Sequence, residues 1–353
     1  MLRRGASQGD GALRLSVLDQ SVAVVDRPHG QSIRDTVALA RFCDTLGYHR
    51  FWVSEHHNHA SIAGTAPEIL IAAIAGVTNR IRIGSAGVML PHYAPLHVAE
   101  QFLVLEALAP GRIDLGLGRA PGSDQATARA LRRSPSAADT FPQDVAELMT
   151  WFRPAEPGQA VRAVPGAGLD VPIWILGSSL FGAQLAAALG LPFAFASHFA
   201  PALLEQAVDI YRSRFQPSER LARPYVMLGI NVFAAASDEE ARRLFTSQQQ
   251  AFVNLRRGRP GPLPPPVPDF EASLAPFERA MLHEMLSCTV VGDADRVRDG
   301  LRAFIERTGA DELIVASQIF DHPARVRSYE ITAEARRALA AREAGAAHAP
   351  GGG

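Results

Sequence analysis

Lysine is absent from the 353 residues, so all 35 basic side chains are arginine. They face 36 carboxylates, for a net charge of −1. That balance argues against nucleic acid or an acidic membrane surface as the main partner. Cysteine is nearly absent: Cys43 and Cys288 are too few for a disulfide framework and stand in no metal-ligand spacing. No metal site is expected. No apolar run is long enough to span a bilayer, and residues 1–12 are polar and glycine-rich, without the apolar centre of a signal peptide. The cytoplasm is the expected compartment.

What the chain does have is an alternation of strands and helices. Residues 13–18, 51–53, 81–85, 113–118, 171–176, 193–196, 225–233 and 312–316 read as short buried strands. Between them lie apolar-faced helices. The first runs from Ser32 as N-cap to a stop at Gly47, and later ones open at Pro67 and Pro95 or stop at Gly190. The last covers about 323–342. Eight strand–helix units in series predict an α/β fold, a (β/α)8 TIM barrel, as one domain over 13–342 with disordered tails at 1–12 and 343–353. A doubly wound open sheet is the competing architecture, but no Gly-x-Gly-x-x-Gly opens a helix after the first strand. Residues 120–170 are an insertion after strand four, with one amphipathic helix at 145–152. Residues 256–268, after strand seven, are too rich in proline for helix or central strand and read as a mobile loop.

In such a barrel the strand tips ring one mouth. Here they supply Asp19 and Gln20, Glu55-His56-His57, Ser85-Ala86-Gly87, Gly118-Arg119, Gly177-Ser178-Ser179 and Ser197-His198. Glu55 and His56 follow the apolar Phe51-Trp52-Val53 abruptly, and histidine titrates near neutral pH. A lone buried histidine is more often a core residue, but a Glu-His-His cluster at a strand tip favours chemistry. Gly177-Ser178-Ser179 opens a helix whose free N–H groups suit an anion, and Arg119 can add a bidentate contact. Read more plainly, Ser179 only caps its helix. Ser85-Ala86-Gly87 is small enough to let a flat ring approach the backbone, or else forms a bulge. Gly116 and Gly118 share a face and are expected to clear space at the barrel top. Together these point to a phosphorylated, planar cofactor.

Four segments in this order carry a resemblance. They are Trp52-Val53-Ser54-Glu55-His56-His57, Gly87-Val88-Met89-Leu90-Pro91, residues 110–119 ending in Gly116-Leu117-Gly118-Arg119, and Pro172-Ile173-Trp174-Ile175-Leu176-Gly177-Ser178-Ser179. From about Leu13 to Tyr329 the chain resembles the bacterial luciferase-like, flavin-dependent monooxygenases. The resemblance implies a (β/α)8 barrel that binds reduced FMN or, in one branch, a deazaflavin. It implies His56 as the catalytic histidine and Glu55 as a flavin-site carboxylate. It also implies a non-prolyl cis peptide at Ala86-Gly87 and phosphate contacts from Arg119, Ser178 and Ser179. Ser85, Gly118 and Gly177 join the expected cofactor-binding set. Gly118 and Ser178 replace a cysteine and a glutamate of the light-emitting enzyme, which implies a non-luminescent member. Residues 256–268 correspond to a loop that closes over the site.

The activity so implied is that of a two-component monooxygenase. A separate reductase supplies FMNH2, O2 adds at flavin C4a, and the resulting (hydro)peroxide oxygenates an organic substrate. The substrate and the type of oxygenation are not legible. Heavy use of Ala, Arg, Gly and Pro suggests a GC-rich bacterial genome, and with it a natural-product substrate. A homodimer is implied as well. The alternatives are a deazaflavin-dependent hydride-transfer enzyme, disfavoured by the lack of an extended arginine cluster, and a non-catalytic flavin-binding subunit, disfavoured by the intact Glu55-His56 pair.

Overall fold

The structure is a computed structural model that describes residues 13–120, 124–166 and 168–347. The expected tail at 1–12 and residues 348–353 lie outside the described residues. Among the described residues ten parallel strands are present: β1 Arg14–Asp19, β2 Arg50–Val53, β3 Arg82–Ser85, β4 Val88–Met89, β5 Ile113–Gly118, β6 Ile173–Gly177, β7 Phe193–Phe195, β8 Val226–Ala234, β9 Thr289–Gly292 and β10 Glu312–Ala316. Eight of them close a ring in the order β1-β2-β3-β5-β6-β7-β8-β10, with β10 paired to both β8 and β1. This is the (β/α)8 barrel the alternation predicts.

The helices are α1 His29–Leu46, α2 Pro67–Ala75, α3 Pro95–Leu108, α4 Gln125–Ala130, α5 Phe141–Trp151, α6 Leu180–Leu189, α7 Leu204–Arg214, α8 Asp238–Arg256, α9 Pro276–Met285, α10 Ala294–Thr308 and α11 His322–Ala347. Pro67, Pro95 and Pro276 open their helices where no N–H is needed. Gly47 and Gly190 end α1 and α6 in the left-handed conformation, as expected. The start of α1 is corrected: it begins at His29 behind Pro28, whose fixed φ suits the entry, and Ser32 is buried inside the helix. The last helix continues five residues past its expected end.

Three features shape the neighbourhood of the mouth, the first of them the cis peptide expected at Ala86-Gly87. The third strand breaks at Ala86–Gly87, where the peptide is cis, and resumes as β4 alongside the end of β5. From Asn231, the last β8 residue paired with β10, to Ala234, β8 pairs with β9, a strand the sequence reading did not find, just as it missed α9. The segment at 256–268 makes contacts with the loop after β1 and with α8. Leu263 is buried, its N–H donates to Ala23 O, and its carbonyl accepts from Val25 N. Gln250 Nε2 and Thr246 Oγ1 of α8 bond Pro265 O and Val267 N.

Inside the ring, Leu18, Trp52, Trp174, Ala194, Met227 and Ile314 form an apolar plug separate from the larger core between strands and helices. Below the plug, at the amino ends of the strands, charges are buried and paired. Asp114 accepts from Arg50 Nη1 at 2.6 Å, Arg82 Nη2 at 2.6 Å and Trp52 Nε1 at 3.2 Å. Glu312 accepts from Arg50 Nε at 3.0 Å, from Tyr225 OH at 2.8 Å and from Ser16 Oγ. Burial opposes the charge on Asp114, yet Arg50 and Arg82 together hold its carboxyl below the usual range.

Candidate active site

Above the plug, the strand tips enclose one cleft. Gln20, Glu55, His56, Ala86, Gly87, Gly118, Arg119, Gly177, Ser178, Ser179 and His198 all line it; apart from Gln20 and His198, these are nine of the ten catalytic and cofactor-binding residues expected from sequence. Ser85 is the tenth, and it does not reach the cleft. Its hydroxyl donates to Gly116 O at 2.9 Å and accepts from Gly116 N at 3.0 Å, stitching β3 to β5 behind the wall. Gly116 is corrected with it: a Cβ there would fall 2.1 Å from Ser85 O, so its smallness serves strand contact and not open space. Asp19 is also spent on structure, bonding Ser21 N, Thr36 Oγ1 and Arg325.

Glu55 and His56 leave the tip of β2 in opposite states. Glu55 is 1 % exposed. Its carboxylate accepts from Met89 N at 2.9 Å and Tyr93 OH at 2.6 Å, and it contacts His57 Nε2 at 2.7 Å. These bonds fasten β2 to β4 and the turn beyond it, while Glu55 also lines the cleft. His56 is held by its backbone, whose N–H donates to Gly64 O at 3.0 Å. Its ring Nδ1 is buried with no hydrogen-bond partner among the described residues. Burial first, and then the neighbouring His59 and His57, lower its pKa to about 4. The imidazole is therefore neutral near pH 7 and can accept a proton.

Across the cleft, Ser179 occupies the N-cap position of α6 but makes no capping hydrogen bond with its side chain, and the first turn carries no acidic residue. The plainer reading, in which Ser179 is spent on capping, is not what the structure shows. The positive end of the helix and the Ser178 and Ser179 hydroxyls stay available to an anion. Arg119 stands 4.1 Å above the Phe181 ring centroid and has no carboxylate partner among the described residues. This donor set suits a dianionic phosphate. The neighbouring walls are apolar, with Phe141, Phe181, Phe195, Phe199, Met89 and Ile175.

Sequence reasoning underweighted His198. Its place at the tip of β7 was visible, but the state of its ring is a property of packing. No group of His, Cys, Asp and Glu among the described residues could hold a metal ion. No helix among them is long and apolar enough to cross a membrane.

A barrel whose mouth combines a neutral imidazole, a helix start without a side-chain cap and apolar walls defines a small-molecule enzyme site. A family model for luciferase-like monooxygenase matches residues 13–312, and the chain belongs to that family. It is 51 % identical over 335 residues to a luciferase-like monooxygenase of Escherichia coli K12, covering 94 % of this chain and 99 % of that one. It is 39 % identical over 254 residues to the N-acetyl-S-alkylcysteine monooxygenase of Bacillus subtilis, covering 70 % and 75 %. The crystal structure of apo-MsnO8 superposes with a TM-score of 0.82 at 38 % identity, covering 92 % of this chain and 98 % of that one. The protein is accordingly a monooxygenase of the luciferase-like class.

Proposed function

We propose that the protein is an FMNH2-dependent, two-component monooxygenase of the cytoplasm, taking reduced FMN from a separate flavin reductase and oxygenating an organic substrate. The observation that carries this reading is the convergence on one cleft of Arg119, the uncapped Ser178–Ser179 turn, the Ala86–Gly87 wall and the neutral His56. Reduced FMN bound there would supply the electrons that activate O2. Arg119, Ser178 and Ser179 would hold its phosphate. Ala86 and Gly87 offer a wall without bulk for a planar ring. His56, neutral and buried, would accept a proton from the reacting substrate or its oxygenated product. Phe141, Phe181 and Phe199 would keep water from the reacting groups. Arg119 is the one arginine among the lining residues described, which supports FMN over a deazaflavin with a long acidic tail.

The same reading includes a homodimer. On α2 and α3, which pack together, Ile69 and Leu108 are each 66 % exposed, with Val104 of α3 and Val77 just past α2 also open. Sedimentation of the full chain tests this and should give twice the monomer mass. The functional test is oxygen uptake on supplying photoreduced FMN with candidate substrates, and oxygenated product should appear without any nicotinamide. Uptake yielding only hydrogen peroxide with every substrate class tried would count against the reading.

A further inference from the structure

The ring of strands divides the cleft in two. β2, β3, β5 and β6 carry His56, Ala86–Gly87, Arg119 and Ser178–Ser179. The other half, from β7 round to β1, lines the cleft with Ala196, Met227, Ile314 and Leu18, and its polar side chains there are Gln20 and His198. In a ring of eight, β7 stands opposite β2, so His198 faces His56 across the mouth.

His198 is 7 % exposed, and its ring is seated on Gly229 of β8. A Cβ at position 229 would lie 2.3 Å from Nδ1, so the seat exists because residue 229 has no side chain. Nδ1 is buried with no partner among the described residues. The nearby Gly229 carbonyl accepts from Ser197 Oγ at 2.6 Å, and the carbonyl of His198 itself accepts from Asn231 Nδ2 at 2.6 Å. A buried N–H without an acceptor is rarer than a buried lone pair without a donor, so the proton of the neutral ring belongs on Nε2. Nε2 is the nitrogen left to face the cleft. Both charged residues of the lining, Glu55 and Arg119, stand in the opposite half. An ammonium or carboxylate group would be desolvated on the His198 side without a counter-ion. Gln20 offers none, and its Oε1 already accepts from Gln318 Nε2 at 2.6 Å.

We infer that His198, seated on Gly229, is a specificity-determining residue whose Nε2–H donates to the acceptor of an uncharged, mainly apolar substrate in the half-cleft opposite His56. This rests on assigning the other half to the cofactor. The test is equilibrium binding of 2-heptanone, heptane, heptanoate and heptylamine to the full chain, with and without oxidised FMN. The ketone should bind about three- to tenfold tighter than the other three, the range of one neutral hydrogen bond. His198→Leu should erase that preference and His198→Gln should retain much of it. Gly229→Ala, which pushes a methyl into the ring's seat, should erase it without touching His198. FMN affinity should stay within about twofold in His198→Leu, as expected for a group outside the phosphate contacts. A ketone preference that survives in both His198→Leu and Gly229→Ala would overturn the inference, as would tighter binding of either ion. Should His198→Leu not fold, Gly229→Ala against His198→Gln decides alone. Failure of the wild-type chain to bind FMN would strike the cofactor assignment, while the same probes on the unloaded chain would still decide the role of His198.

Discussion

The two ends of the barrel bury polar groups on opposite terms. At the amino ends of the strands, Arg50, Arg82, Asp114 and Glu312 answer one another with short ion pairs. At the carboxyl ends, the Nδ1 atoms of His56 and His198 have no partner among the described residues, and α6 starts without a side-chain cap. A buried polar group left without a partner costs about 1–3 kcal/mol, and at the mouth a bound ligand is able to supply that partner. Glu55 sharpens the contrast, because it lies at the mouth yet is bonded as fully as Asp114 below. Location at the mouth therefore does not leave a polar group free, and the unanswered atoms of the cleft lining are the ones a ligand there can meet.

The comparison can be broken most severely at His56. His56→Ala should lower coupled product formation by about 10²–10⁴-fold, the usual range for a lost acid–base group, and leave the melting temperature nearly unchanged. Steady-state assays beside thermal melts measure both, and normal coupling would remove His56 from the chemistry. At the other end, Asp114→Ala should destabilise the fold by about 3–5 kcal/mol, because Arg82 would lose its carboxylate and Arg50 would keep only Glu312. Denaturant unfolding reads that loss, and the surviving folded fraction should bind FMN as the parent does. If instead Asp114→Ala weakened cofactor binding without unfolding, the division between the two ends would fail.

A smaller effect concerns pH. His56 and His198 both have pKa values lowered to about 4, His198 by burial alone. Since each is depressed below the unfolded value of about 6.5, the unfolded chain binds more protons between these limits. Their contribution is complete above pH 6.5 and is lost as pH falls toward 4, by up to about 1.4 kcal/mol per pH unit for each histidine. His198→Gln should flatten that fall, as unfolding midpoints measured from pH 7 to 4.5 would show. Activity that depends on neutral His56 should be level through neutrality and fall only in acid.

Much of this was legible in the chain. Strand–helix alternation is a local signal, and it located every strand of the closed ring. Strand tips converge in any such barrel, so their residues could be gathered at one mouth before any coordinates. What stayed hidden depends on contacts far apart in sequence. Ser85 was credited to the cofactor because nothing local shows that β5 takes both sides of its hydroxyl. Gly116 was read as clearance, and only the approach of Ser85 O shows that it permits contact. β9 is only four residues long, and it becomes a strand by pairing with the far end of β8. Glu55 and His56 are adjacent letters, and their different states come from Met89 and Tyr93, more than thirty residues away.

The most direct measurement is an equilibrium titration of the wild-type chain with FMN and with riboflavin, which lacks the phosphate, repeated for Arg119→Ala. The account predicts that FMN binds at least about tenfold tighter than riboflavin, as charge-assisted hydrogen bonds of about 1.5–3 kcal/mol require, and that Arg119→Ala removes most of the difference. Equal affinity for the two flavins in the wild-type chain, or no binding of FMN in either redox state, would contradict it.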